Sequence, residues 1–335
     1  VLTEPPILGE YLGEPDYGPI TGVYVGNIWG AGFAPAWVDL DNDGDQDLYV
    51  VNVLGWEIQP NVLWRNDGPS SDGGWSFVDV SVGSGADIDI EGMGLGVGDY
   101  DLDGNLDMFI TNIGDNVLLR NNGGLSFTDT AKEAGVLLGK VRRNPRVAWA
   151  SIFFDYDNDA DEDLYVVSGW IKGTKRFDRD TTQPNVLMRN ERDGTFLDVS
   201  SLSGADDTLV GRGAAYLDFN GDGCLDLVLE NYGNRSKLLQ NRCDSGHNWL
   251  AVRLLGTTSN RDGVGARISV EAGGATQIRE ILAGGNTFMG QNMLDAHFGL
   301  GESGSADTVT IRWPSGTVQV ISNVEANQVV TVTEP

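Results

Sequence analysis

Carboxylates set at alternate positions, in four separate places, are the residues of this chain that could do chemistry. Each set follows one grammar, Asp-x-Asp/Asn-x-Asp-Gly/Ala-x-x-Asp, and runs on into an apolar stretch. The copies are DLDNDGDQDLYVV from Asp39, DYDLDGNLDMFIT from Asp99, DYDNDADEDLYVV from Asp155 and DFNGDGCLDLVLE from Asp218. Like charges this close repel unless a cation lies among them, and calcium takes several hard oxygen ligands in a flexible shell. Side chains at positions 1, 3, 5 and 9 can converge on one ion, while position 7 offers its backbone carbonyl. The candidate ligands are Asp39, Asp41, Asp43, Asp45 and Asp47; Asp99, Asp101, Asp103, Asn105 and Asp107; Asp155, Asp157, Asp159, Asp161 and Asp163; and Asp218, Asn220, Asp222, Cys224 and Asp226. About four calcium ions are expected, one per ladder. Asn220 keeps an oxygen ligand but loses a charge. Position 6 turns sharply and favours glycine. It is Gly44, Gly104 and Gly223 but Ala160 in the third ladder, which is expected to bind more weakly or to hold a strained turn.

The elements around the ladders read as strands. The runs 48–53, 108–113 and 164–167 are short and rich in valine, isoleucine and aromatics, too short and too β-branched for helices. Position 12, a bidentate glutamate in an EF-hand, is Val50, Ile110, Val166 and Leu229, which excludes that motif. The ladders begin 60, 56 and 63 residues apart. Downstream, Asn61-Val-Leu-Trp-Arg-Asn66 is echoed by Asn116-Val-Leu-Leu-Arg-Asn121 and Asn185-Val-Leu-Met-Arg-Asn190, and weakly by Ser236-Lys-Leu-Leu-Gln-Asn241. Phe77/Asp79, Phe127/Asp129 and Phe196/Asp198 close the first three units, with Gly85, Gly135 and Gly204 soon after. Four short strands per unit is the pattern of a propeller blade. The expected fold is all-β: propeller-type blades over 31–243, a small β-sandwich-like module over 247–333 packed on the last blade, and an N-terminal segment 1–30 whose residues 22–29 could close the ring. The alternative is that the C-terminal strands complete the ring.

The unit resembles the FG-GAP/VCBS repeat, a calcium-bearing propeller blade. From His247 onward the strings SNRDGVGARI, ILAGG, DAHFGLG and IRWPSG resemble the ASPIC/UnbV domain. Repeats followed by that domain are the layout of the cartilage acidic protein family. The resemblance covers roughly residues 31–333. It implies a secreted or surface-exposed protein of adhesion or matrix interaction, with the ladder residues as calcium ligands and no established enzyme activity. Family members usually carry more than four repeats, so a shortened ring or a processed fragment is expected.

Composition sets the remaining bounds. A net charge of −27 in 335 residues argues against non-specific nucleic-acid binding, and the chain stays acidic even with four divalent ions bound. No run approaches the roughly 18 apolar residues of a membrane-spanning helix. No signal peptide is visible, and a start at Val1 fits a processed chain. Cys224 and Cys243 are either buried thiols or, as expected for an extracytoplasmic protein, a disulfide clipping the fourth repeat. Neither His247 nor His297 has a partner for nucleophilic catalysis at readable spacing, His297 reads as structural, and no enzyme activity is expected. Basic residues gather around the third repeat: Lys140, Arg142, Arg143, Arg146, Lys172, Lys175, Arg176 and Arg179. They either balance the acidic ladder or contact an anionic glycan, lipid headgroup or acidic protein. The reading is a secreted calcium-binding interaction protein with a glycan, matrix or protein partner. The alternatives are a structural subunit of a larger extracellular assembly and, less favoured, a glycan-active or biosynthetic accessory enzyme.

Overall fold

Each ladder is the loop of a β-hairpin, and its position-9 aspartate pairs across the hairpin with the residue just before position 1. Val38 faces Asp47, Gly98 faces Asp107, Phe154 faces Asp163 and Leu217 faces Asp226. The computed structural model describes residues 31–71, 73–141, 144–171, 182–284 and 287–335. Segment 1–30, with its expected ring-closing stretch, lies outside the described residues, as do Arg142, Arg143, Lys172, Lys175, Arg176 and Arg179.

The fold is nearly all β. The first blade is an antiparallel meander of β1 (Gly32–Val38), β2 (Asp47–Asn52), β3 (Val62–Pro69) and β4 (Trp75–Asp79). The second repeats it with β5 (Leu95–Gly98), β6 (Asp107–Ile110), β7 (Val117–Asn121) and β8 (Phe127–Asp129). A two-residue ribbon of β9 (Lys140–Val141) and β10 (Asn144–Pro145) leads to the third, β11 (Ala148–Phe154), β12 (Asp163–Ser168), β13 (Val186–Asn190) and β14 (Phe196–Asp198). The fourth has three strands, β15 (Gly211–Leu217), β16 (Asp226–Asn231) and β17 (Lys237–Leu239). The C-terminal module stacks two sheets. One is β18 (Asn248–Leu255) between β21 (Ala296–Gly301) and β24 (Gln328–Thr333). The other runs β20 (Ala275–Glu280), β19 (Arg267–Ala272), β22 (Ser305–Arg312), β23 (Val318–Glu325).

Because strand side chains alternate between faces, each interior blade buries both. Tyr49, Val51 and Leu63 of the first blade meet Met108, Ile110 and Leu119 of the second. Phe109 and Leu118 then turn to Leu164, Val166 and Met188 of the third, and Tyr165 and Leu187 to Leu227 and Leu229 of the fourth.

The repeated asparagines hold this stack. The Nδ2 groups of Asn121, Asn190 and Asn241 each donate to a ladder carbonyl of the preceding blade, Leu40 at 2.8 Å, Tyr100 at 2.7 Å and Tyr156 at 2.5 Å. Asn61 and Asn185 each accept from the end of the second strand and donate to a buried tyrosine, Tyr49 at 3.1 Å and Tyr165 at 3.0 Å. In the second blade that tyrosine is Phe109, and Asn116 Nδ2 is left buried without a partner.

The module does not pack on the last blade alone, as the sequence suggests; it sits astride all four. Ile278 and Leu282 join the core between the first two blades. Phe288 joins the core between the last two and stacks on Phe33 of the first, with ring centroids 5.2 Å apart. The close approach needs Gly213, where a Cβ would lie 2.9 Å from the Met289 carbonyl oxygen. The last strand is pinned by buried Glu334, whose carboxylate accepts from the backbone N–H groups of Thr257, Thr258 and Ser259 and from the hydroxyls of Ser259 and Ser315.

Two predictions follow from these contacts. Tyr165→Phe removes the acceptor of Asn185 Nδ2 and the donor to the Ala205 carbonyl, and should cost about 1–3 kcal/mol in denaturant unfolding. An unchanged midpoint would show the network to be slack. Burial alone would raise the pKa of Glu334, but the Ser315, Ser259 and Thr257 bonds outweigh it and hold the group at about 2. Its contribution to stability is therefore complete above the unfolded value near 4.5 and is lost as pH falls toward 2. Glu334→Gln should flatten that part of the acid-unfolding curve, and a parallel curve would refute the assignment.

Candidate metal centres

Two aspartates shape each loop before any ion is considered. Position 1 accepts from the turn: Asp99 from Asp103 N and Gly104 N (3.0 and 3.2 Å), and Asp155 from Asp159 N and Ala160 N (3.1 and 2.9 Å). Asp218 does the same with Gly221 N and Gly223 N (2.7 and 2.9 Å), and Asp39 with Gly44 N at 3.1 Å. Position 9 bolts the loop to the blade. One oxygen accepts from position 2 (Leu40, Tyr100, Tyr156, Phe219) and the other from the closing asparagine of the echo motif (Asn66, Asn121, Asn190, Asn241), all at 2.7–3.2 Å. The sequence reading made position 9 a ligand only. In the fold it is first a staple, with lone pairs left over.

Carboxylate oxygens of Asp99, Asp101 and Asp107 lie within 4.8 Å of one another, as do those of Asp155, Asp157 and Asp163, and of Asp39, Asp41 and Asp43. Position 5 joins the set in the first ladder; in the second and third, Asp103 and Asp159 stay outside it and position 9 enters instead. Burial, then the charge of Glu162, pushes Asp99 up to about 7, and burial with mutual repulsion pushes Asp107, Asp155 and Asp163 well above the usual carboxylate range. One oxygen each of Asp39, Asp101, Asp157 and Asp161 is buried with no hydrogen-bond partner. In the second and third ladders, converging carboxylates with unspent, desolvated oxygens fit a hard divalent cation, which would supply the missing positive charge.

The four ladders are not alike. In the fourth, Asn220 Nδ2 donates to Asp222 Oδ2 at 2.7 Å on the surface, and no three carboxylates converge there among the described residues. The Cys224–Cys243 disulfide braces this loop instead, with Cα atoms 5.7 Å apart. At position 7, Asp161 is held by Arg192 Nε at 2.8 Å, and the Cys224 sulfur is committed to the disulfide. Ala160 takes φ +82° where the glycines of the other loops take +104°, +86° and +84°. The third loop thus makes the same turn at a steric cost.

Of the basic group, Arg146 is a correction. It is buried, and its guanidinium donates to the Leu138 carbonyl, to Ser168 Oγ and to the Pro184 carbonyl, so it is not free to hold an anion. Burial lowers its pKa to about 10. Sequence reasoning missed the module's own side chains at the ladders. His247 Nδ1 sits 2.9 Å from the Asp157 carbonyl oxygen. His297 Nε2 donates to the Gly223 carbonyl at 3.0 Å, with burial holding its pKa near 4. Arg279 pairs at 3.2 Å with Glu162, whose other oxygen accepts from Asp99 N at 2.7 Å. The one available signal was Glu162 itself, the only acid at position 8 of a ladder.

Family models match the FG-GAP-like repeat over residues 39–110 and 99–166 and ASPIC and UnbV over 256–335. The chain is an FG-GAP-repeat protein with a C-terminal ASPIC and UnbV domain. It is similar to Cartilage acidic protein 1 of Xenopus tropicalis, 25% identical over 304 residues that take in 88% of this chain and 44% of the relative. The Mus musculus protein of that name is 24% identical, covering 91% of this chain and 55% of the relative. The chain thus spans about half the length of the curated relatives it matches. Among solved structures, an Agrocybe aegerita lectin that recognises non-reducing terminal N-acetylglucosamine overlaps 62% of this chain and 52% of its own at TM-score 0.31 and 18% identity, too loosely to transfer a site.

Ala160→Gly should remove the strained turn. A net gain of about 0.5–1 kcal/mol is expected, the relief being partly offset by the greater freedom of glycine when unfolded. Unchanged or reduced stability in thermal melts would show that the turn carries no strain.

Proposed function

We propose that this chain is a secreted, calcium-stabilised interaction protein. The blade loops and the C-terminal domain present its binding surface to a glycan, matrix or protein partner. The observation that carries the calcium reading is the pair of carboxylate triads in the second and third ladders, each with two buried members and an oxygen on the third that nothing satisfies. Asp99, Asp101 and Asp107, and Asp155, Asp157 and Asp163, would hold the ions. A bound ion neutralises the triad and fixes the first hairpin of its blade, so the role is structural. The disulfide and the family relationship support an extracellular setting. No residue is assigned to catalysis: His297 is buried as a strut between domains, and the ladder acids are taken up by turns, staples and ions.

Calcium should raise the melting temperature by several degrees over an EGTA-treated sample. Each ion contributes about 2.7 kcal/mol when free calcium is about 100-fold above its Kd. Asp101→Asn with Asp157→Asn should erase most of that difference. Identical melts with and without calcium would sink the reading.

A second reading, a subunit of a larger extracellular assembly, is favoured by the first blade. Its outer face leaves Leu48, Val50 and Trp64 half-buried where the matching Met108, Ile110 and Leu119, and Leu164, Val166 and Met188, are sealed. Trp37 on that face is 51% exposed, its ring 5.7 Å from that of Phe77, and Trp75 is 62% exposed. Apolar faces of this kind mark contact surfaces. Size-exclusion in calcium separates the readings: a single monomer-mass species, unchanged by Trp37→Ser, removes the assembly.

A further inference from the structure

The strings by which the C-terminal domain is recognisable, GARI and IRWPSG, each contain an arginine, and both arginines reach the first acidic ladder. Arg312 Nη2 pairs with Asp39 Oδ2, and Arg312 Nη1 donates to the Asn42 carbonyl at 3.1 Å. Arg267 Nη2 donates to the Asp39 carbonyl at 2.6 Å and lies 4.0 Å from its Oδ2, while Nη1 donates to Asn42 Oδ1. Arg267 is steered by buried Glu280 at 3.0 Å, and Glu280 also accepts from Asp39 N at 3.3 Å. Gly44 gives the guanidinium room, since a Cβ there would stand 3.3 Å from Arg312 Nη1. The position-1 aspartates of the other three ladders have no arginine on them among the described residues. Arg279, the module's third arginine at this interface, goes to Glu162 instead.

From this geometry we infer that the first ladder is the receptor for the C-terminal domain, neutralised by Arg267 and Arg312 in place of a calcium ion. The two guanidinium groups bring the same double positive charge as one divalent cation. They bring it to the aspartate that a cation needs first. An ion seated among Asp39, Asp41 and Asp43 would face both guanidinium groups at short range and unfavourably. Desolvated arginine–carboxylate pairs are also strong and directional. The domain is therefore docked at the first ladder by its own cations, whatever the calcium level, while the second and third ladders remain open to ions.

This inference rests on the calcium reading of those two ladders, and calcium counting by equilibrium dialysis tests the two separately. Asp41→Asn with Asp43→Asn removes two carboxylates of the first ladder that touch neither arginine, and should leave the number of bound calcium ions equal to that of the unsubstituted chain. Asp101→Asn with Asp157→Asn should lower it. Arg267→Gln with Arg312→Gln should add one ion. In EGTA the same arginine variant should speed proteolysis at the 242–247 connection by tenfold or more, and calcium should restore protection. If Asp41→Asn with Asp43→Asn loses an ion, the first ladder is an ordinary calcium loop and the inference falls while the calcium reading stands. If the unsubstituted chain binds no calcium, the calcium reading falls. If the arginine variant does not fold, the Asp41/Asp43 comparison decides alone. If it folds and gains no ion, the exclusion by arginine is wrong.

Discussion

Neutralising buried carboxylates at the first turn of each blade is the constraint on which the rest of this structure depends. The ladder has to be acidic, because position 1 must collect turn N–H groups and position 9 must tie the loop to the third strand. It also has to be partly buried, because the loops crowd together at one end of the blades. Asn42 Nδ2 donates to Asn105 Oδ1 at 2.9 Å, and Asn158 Nδ2 to the Gly223 carbonyl at 3.2 Å. Desolvated like charges oppose this arrangement. Each ladder answers in its own way: guanidinium groups at the first, open triads suited to calcium at the second and third, and at the fourth a disulfide with one carboxylate replaced by Asn220.

The C-terminal domain is part of that answer. Arg267 and Arg312 reach the first loop, Arg279 the glutamate beside the second and third, and His247 and His297 the backbone carbonyls of the third and fourth. Its apolar segment around Ile278, Leu282 and Phe288 meanwhile fills the space between the inner strands. Polar contacts set the register of the domain on the blades, while Ile278, Leu282 and Phe288 tie it into the blade cores. Four blades, the first with an outer apolar face that is half-exposed among the described residues, are thus held as a unit by a domain that is not a blade.

Much of this was legible in the sequence, and for identifiable reasons. The strands follow from alternation and β-branching, the hairpin loops from glycine at position 6, and the four-strand period from the spacing of the ladders. The Asn-Val-Leu echo could be seen as a repeat but not explained. Its asparagines bond to residues 81, 90 and 85 positions earlier, in the neighbouring blade. Arg146 was misread because a charged residue in a basic run looks exposed until the chain folds over it. The seat of the C-terminal domain could not be read either, since Arg267 lies 228 residues from Asp39 and Arg312 lies 273 away.

The sequence by itself determined the local grammar: which residues turn, which alternate, which pair across a hairpin, and that carboxylates outnumber any cation nearby in the chain. Those properties depend on neighbours within about a dozen residues, where backbone geometry leaves few choices. Only the tertiary structure decided how each ladder is neutralised. Four nearly identical strings received three different environments, because electrostatics acts through space and the arginines that reach the first ladder come from another domain.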